Sequence, residues 1–249
     1  MADPLRNYQA RPGAAPSRAD TYIDQGLRAY MIRVYNLMAV GLVITGLAAW
    51  AGFSFAVTPD GHLTQFGVLM FQSAFKWVVI FAPLALVFFL SFKISSMSVS
   101  AAQTTFWVYA ALVGLSLSIL FLVYTQTSIV RTFFITATAF GALSLYGYTT
   151  KRDLSAIGSF LIMGVFGIVI ASIVNIFLAS SALQFAISVI GVLVFAGLTA
   201  FDTQQIKEMY YEGDGEVVAG RKAIMGALRL YLDFINLFMF LLQFMGDRR

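Results

Sequence analysis

Residues 182–201 read ALQFAISVIGVLVFAGLTAF, twenty consecutive residues without a charge. Wound as a helix at 1.5 Å per residue, this stretch is ~30 Å long, the thickness of a bilayer's hydrocarbon core. Working outward from it, segments of the same kind recur almost without pause. They are Val34–Ala56, Trp77–Phe92, Thr105–Tyr124, Thr132–Thr150, Ala156–Leu178, Ala182–Phe201 and Ile224–Met245. The expectation is an all-α polytopic membrane protein, a bundle of seven transmembrane helices. The second segment is the shortest, with Lys76 and Lys93 at its ends placed to snorkel outward. Pro83 inside it should kink the helix.

Composition agrees with lipid as the solvent. The chain has 249 residues, 59% of them hydrophobic and only 11% charged, where a soluble domain carries roughly 25%. There is no cysteine, so disulfides, thiolate metal sites and a cysteine nucleophile are excluded. His62 is the single histidine, which rules out His-cluster metal chemistry. The net charge of +4 does not read as a nucleic-acid surface, because the basic residues are scattered between apolar runs. Residues 1–25, rich in Pro, Ala, Gly and Arg, read as a flexible cytosolic tail, and residues 26–249 as the membrane domain. No cleaved signal is evident ahead of the first span. With the N-terminus in the cytoplasm, the inner loops and helix ends carry twelve basic residues and the outer ones only Lys76, Arg131, Arg248 and Arg249. That is the positive-inside pattern. Seven full spans then put the C-terminus outside; a re-entrant last segment returns it.

Between Asp60 and Asp153 there is no acidic residue at all. Against that background, Asp202 directly after the sixth apolar run and Asp233 inside the seventh need a reason. An aspartate near the bilayer centre costs ~2.5–3.5 kcal/mol on insertion scales and usually faces the bundle interior. If the sixth helix continues to about Tyr211, each aspartate lies nine residues from the cytoplasmic end of its helix, ~13 Å deep. Antiparallel neighbours then bring the carboxyls to one level. Two such groups in contact cannot both stay ionised, so they share a proton and act as a pH-sensitive latch. They are also hard oxygen ligands, suited to weak, transient Ca²⁺ contact rather than a dedicated site of six to eight oxygens. Asn236 and Thr199 are placed to help, each three residues from one aspartate.

Plainer readings stand beside this one. Arg229, four residues before Asp233, can neutralise it along the same helix, or tune the pair as a third member. Asp202 can be an interfacial residue beside Lys207 and Glu208. Lys93 either snorkels or is the basic partner of the acids. Asn175 caps a bent helix or joins a polar network, His62 is solvated in a loop, and Gly41, Gly46, Gly158, Gly164, Gly167, Gly191 and Gly197 serve close helix packing. An intramembrane aspartyl protease is disfavoured: no glycine closely precedes Asp233 and no Pro-Ala-Leu follows it. Serine-hydrolase, zinc-protease, P-loop and dinucleotide motifs are absent, so no enzyme is expected.

The words around the aspartates carry a resemblance. Phe201-Asp202-Thr-Gln-Gln-Ile206-Lys207, followed by Ala227-Leu-Arg-Leu-Tyr231-Leu232-Asp233-Phe234-Ile235-Asn236-Leu237-Phe238, is similar to the signature of the transmembrane Bax inhibitor motif (Bax inhibitor-1) family. Arg33-Val34-Tyr35-Asn36-Leu37-Met38-Ala39 and Lys151-Arg152-Asp153-Leu154 resemble its bacterial branch. The resemblance covers roughly residues 28–247. It implies a seven-helix fold with the last helix central, and a pH-sensitive Ca²⁺ leak gated by Asp202 and Asp233. Relatives described as leaks also use an acidic and a basic residue around the second helix. Here the acidic position has no counterpart, and Lys93 is only a loose match for the basic one.

Two functions follow as expectations. The first is a passive leak in a bacterial inner membrane, with Ca²⁺ or protons as permeant or regulatory ions. The second is a membrane interaction protein that modulates stress responses or a membrane quality-control protease, with membrane proteins as partners. The lipid bilayer is the common partner; no cofactor and no nucleic acid are expected.

Overall fold

The computed structural model describes residues 18–249, with side chains from Gln25. Seven long helices follow in order: α1 Arg18–Ala56, α2 Lys76–Lys93, α3 Val99–Leu117, α4 Gln126–Thr149, α5 Ser155–Leu178, α6 Ser181–Glu208 and α7 Glu216–Met245. All seven are long and apolar enough to cross a membrane. α1 begins ahead of the tail boundary expected at residue 25; residues 1–17 lie outside the described residues. Successive long helices alternate in direction. The N-terminal face carries the start of α1 and the connections at 94–98, 150–154 and 209–215. The opposite, C-terminal face carries those at 57–75, 118–125 and 179–180 and the chain end.

Polar caps set the helix starts. Ser98, Thr125 and Ser180 accept from the amides of Ala101, Ser128 and Leu183, fixing the N-termini of α3, α4 and α6. α5 stops at Ala179, whose φ of 48° is left-handed, and Ser180 starts α6 at once. Asn175 is used twice in that turn: its Oδ1 accepts from the Ser180 amide at 3.0 Å and its Nδ2 donates to Gln184 at 3.2 Å. Gln184 donates in turn to Gln243 of α7 at 2.8 Å. The cap and the network expected as alternatives for Asn175 coexist.

α2 runs unbroken through Pro83 from Lys76 to Lys93 and, with Ile94–Ser96, makes a 21-residue span. Proline lacks the N–H that the Val79 carbonyl would otherwise accept from. Ser116 of α3 supplies the substitute, donating its hydroxyl to that carbonyl at 2.5 Å. A polar side chain from a neighbouring helix thus repairs the ladder, which is how lipid-embedded helices tolerate proline.

α7 is the centre of the bundle. It packs against α1, α3, α4 and α6, while α5 packs principally on α6 and α2 on α3. In the most apolar window of α7, 56% of residues are buried, against 11% in α5. At the heart, the Tyr231 hydroxyl meets Thr45 Oγ1 at 2.7 Å, and Thr45 in turn reaches the Ala110 carbonyl at 2.9 Å. Phe106 and Tyr109 stand edge-on to the Tyr231 ring. One hydroxyl chain therefore ties α7, α1 and α3 together.

Two further glycines, Gly147 and Gly114, sit directly against the backbone of a neighbouring helix. A Cβ on Gly147 of α4 would lie 2.1 Å from the Ala200 carbonyl oxygen of α6, and one on Gly114 of α3 2.4 Å from that of Thr45 in α1. Gly46 and Gly167, expected to serve packing, face open space.

The end of the chain is tied down on the C-terminal face. Thr125 N donates to the Asp247 carbonyl at 3.1 Å, Arg249 N to that of Val123 at 3.0 Å, and Asp247 N to Ser128 Oγ at 2.9 Å. α7 runs unbroken from Glu216 to Met245 and is long and apolar enough to cross a membrane in full.

Candidate functional site: an aspartate pair in a lateral groove

The word Asp202-Thr203-Gln204-Gln205-Ile206-Lys207 lies on the last two turns of α6, and nearly every side chain in it has an assignment. Thr203 donates to the Thr199 carbonyl at 2.7 Å, so it accepts from Ser144 of α4 at 2.9 Å, and Ser144 accepts from Tyr35 of α1 at 2.6 Å. This relay joins three helices. Gln204 holds the α4–α5 connection, donating to the Arg152 carbonyl and accepting from Leu154 N. Lys207 donates to the Tyr148 carbonyl at 2.9 Å and sits over its ring. Ile206 is fully buried. With those neighbours fixed, Asp202 is turned toward α7.

There it meets Asp233, the two carboxyls within hydrogen-bonding reach of each other. Asp233 is 4% exposed, and its Oδ2 has no donor among the described residues. The expected equal depth from the helix ends is not how they come level. α6 stops at Glu208, about 9 Å beyond Asp202, whereas α7 starts at Glu216, about 26 Å before Asp233. The first turns of α7 project past the end of α6. Lys222 anchors this offset, donating to the Met209 carbonyl at 3.0 Å and pairing with Asp214 at 2.5 Å.

The pair lies in a lateral groove of about 840 Å³ between α5, α6 and α7. Its polar members are Asp202, Gln205, Arg229, Asp233, Asn236 and Ser172; Ile, Val and Phe side chains of α5 line much of the rest. Arg229 is exposed on the rim, near enough to both acids to act on them electrostatically, yet it makes no ion pair with either. Among the described residues Lys222–Asp214 is the only ion pair. Neutralisation of Asp233 by an ion pair with Arg229 is therefore not what is built. Asn236 lines the groove one turn further in, with its Nδ2 donating to the Leu232 carbonyl.

Two expected members are elsewhere. Thr199 is fully buried and donates to the Phe195 carbonyl, so its hydroxyl serves its own helix. Lys93 is exposed in the last turn of α2, a peripheral helix that packs on α3, away from the groove. No cluster of three His, Cys, Asp or Glu side chains occurs among the described residues. The groove's side-chain oxygens are those of the two carboxyls, the Gln205 and Asn236 amides and the Ser172 hydroxyl, with no third carboxylate beside them among the described residues. Two carboxylates with only neutral oxygens beside them make at most a weak Ca²⁺ site.

Residues 27–249 match the family model described as inhibitor of apoptosis-promoting Bax1. The chain belongs to the Bax inhibitor family. Among similar members, an uncharacterized protein of Rickettsia prowazekii is 54% identical, over 91% of this chain and 92% of its own. One from Caulobacter vibrioides is 49% identical over 93% and 94%. The inner membrane protein YbhL of Escherichia coli is 46% identical over 93% and 98%. The segments that carry Asp202 and Asp233 lie within the matched region, and the chain is a multi-pass membrane protein.

Proposed function

We propose that this Bax inhibitor family member is a passive, proton-gated cation leak whose gate is the Asp202–Asp233 contact, with Ca²⁺ as the permeant ion. The observation that carries the reading is the pair itself, two carboxyls facing each other in one groove with no ion pair to Arg229. A shared proton joins α6 to α7. When it leaves, two like charges in a low-dielectric site repel and the helices part. A dehydrating cation passing the parted carboxylates meets two hard oxygen ligands and completes its shell with water. The low charge of the donor set suits transit rather than storage.

The proposed setting is a bacterial inner membrane, as for the relative YbhL, with the N-terminal face cytoplasmic on the positive-inside rule. The test is Ca²⁺ entry into liposomes holding the purified protein, followed across pH 5–8. Flux is expected to rise with pH, because deprotonation breaks the latch. Asp202→Asn and Asp233→Asn should each flatten that dependence. Flux that is absent, or that keeps its pH dependence in both variants, defeats the proposal.

A further inference from the structure

Along the seam between α6 and α7, the acid pair's groove ends short of the C-terminal face. Its lining begins at Phe195 on α6 and stops at Phe240 on α7. These two rings stack, with centroids 5.7 Å apart and planes 25° from parallel. The Phe240 ring also fills a notch at Gly191 of α6, where a Cβ would lie 2.5 Å from it. Past the rings the same seam turns polar. Gln184 and Ser188 of α6 both donate to Gln243 Oε1, at 2.8 Å and 3.4 Å, and Gln184 accepts from Asn175 of α5. Gln184 is three residues from the start of α6 and Gln243 two from the end of α7, and both are half-buried. Along α7, Asp233, Asn236, Phe240 and Gln243 recur every three or four residues on one side of the helix. Of these four, only Phe240 is apolar.

We infer that Phe240 is a hydrophobic seal on the ion route, closing the groove of the acid pair from the polar cluster near the C-terminal face. An ion leaving the groove along the α6–α7 seam must pass the two rings. A constriction lined by apolar side chains excludes water, and with it a hydrated ion. Ring carbons offer nothing in place of the ion's shell. The seal and the latch join the same two helices: Gly191 and Asp202 belong to α6, Phe240 and Asp233 to α7. Parting the carboxylates therefore draws the ring from its notch, and wetting of the seam follows. The cluster of Gln184, Ser188 and Gln243 then supplies amide and hydroxyl oxygens to the last stretch. What the seal holds back rests on the leak reading, whereas the seal itself is read without any flux.

The chain has no cysteine, so single cysteines read water access on either side of the ring. A membrane-impermeant methanethiosulfonate is applied at acidic pH to the side of membrane vesicles from which it modifies Gln243→Cys. Asn236→Cys, on the far side of Phe240, should stay unmodified in the same exposure. Adding Phe240→Ala should raise its rate at least about tenfold, measured against Gln243→Cys at the same pH so that thiolate fraction cancels. Phe240→Leu, which keeps apolar bulk at the notch, should keep Asn236→Cys protected. So should Phe244→Ala, an equal truncation one turn on at an exposed position. The inference is overturned by an Asn236→Cys that reacts as fast as Gln243→Cys with Phe240 in place, or that stays protected in Phe240→Ala. Equal exposure by Phe244→Ala, or a Gln243→Cys that reacts from neither side, overturns it as well. Raising the pH tests the leak reading instead: Asn236→Cys should become exposed with Phe240 intact. Protection at every pH defeats that reading, and the Phe240→Ala result still judges the seal.

Discussion

Gly147 shows how much a single atom decides in a bundle held together without a hydrophobic drive between its helices. Its missing Cβ is the space in which the Ala200 carbonyl of α6 sits. That neighbour is backbone and cannot rotate away, so Gly147→Ala must push α4 from α6 and strain the Tyr35–Ser144–Thr203 relay. The expected cost is about 1–3 kcal/mol in reversible unfolding in mixed micelles. Gly46→Ala, facing open space, should change stability by no more than about 0.5 kcal/mol. Sequence could not have ranked these two. Both are glycines in apolar runs, and only the partner's position distinguishes them. The aspartates were legible for the opposite reason: a carboxylate in a run of apolar residues is conspicuous in any register. Thr199 and Asn236 illustrate the limit. Each is three residues from an aspartate, yet Thr199 returns its hydroxyl to its own helix while Asn236 lines the groove.

Among the elements, α2 and α3 form a unit in which one helix repairs the other. Ser116 donates to the carbonyl that Pro83 leaves without an amide partner. Ser116→Ala should therefore cost about 1–2 kcal/mol, since the carbonyl is then unpaired in an apolar setting. In a Pro83→Ala background the amide returns, and the same change should cost less than about 0.5 kcal/mol. A double-mutant cycle on the unfolding equilibrium measures the difference; additive costs would mean that Ser116 does not serve the proline. The existence of all seven helices was readable from apolar length alone. Their ends were not, because caps and projecting turns are polar and look like loop: α7 begins at Glu216, well ahead of its apolar segment, since Lys222 fastens its first turns to Met209 and Asp214.

At the scale of the molecule, the cysteine-free sequence makes orientation directly measurable. A single cysteine at His62, on the C-terminal face, should react with an impermeant maleimide in intact cells. One at Lys151, on the N-terminal face, should react only after lysis. The reverse pattern would invert the proposed topology and with it the side from which protons reach the pair. The family and the seven-helix plan could be read from the residues; the lateral groove could not, because it is made by what α5 fails to touch.

That helix has a mechanical consequence. Packed on α6 and joined to it by the tight turn at Ala179 and Ser180 and by the Gln204 contacts at its other end, α5 turns its remaining faces outward. It is the one wall of the acid pair's groove that packs principally on a single neighbouring helix. Its tilt must answer to hydrocarbon thickness and lateral pressure, so the width of the opening over Asp202 and Asp233 is a property of the protein and its bilayer together.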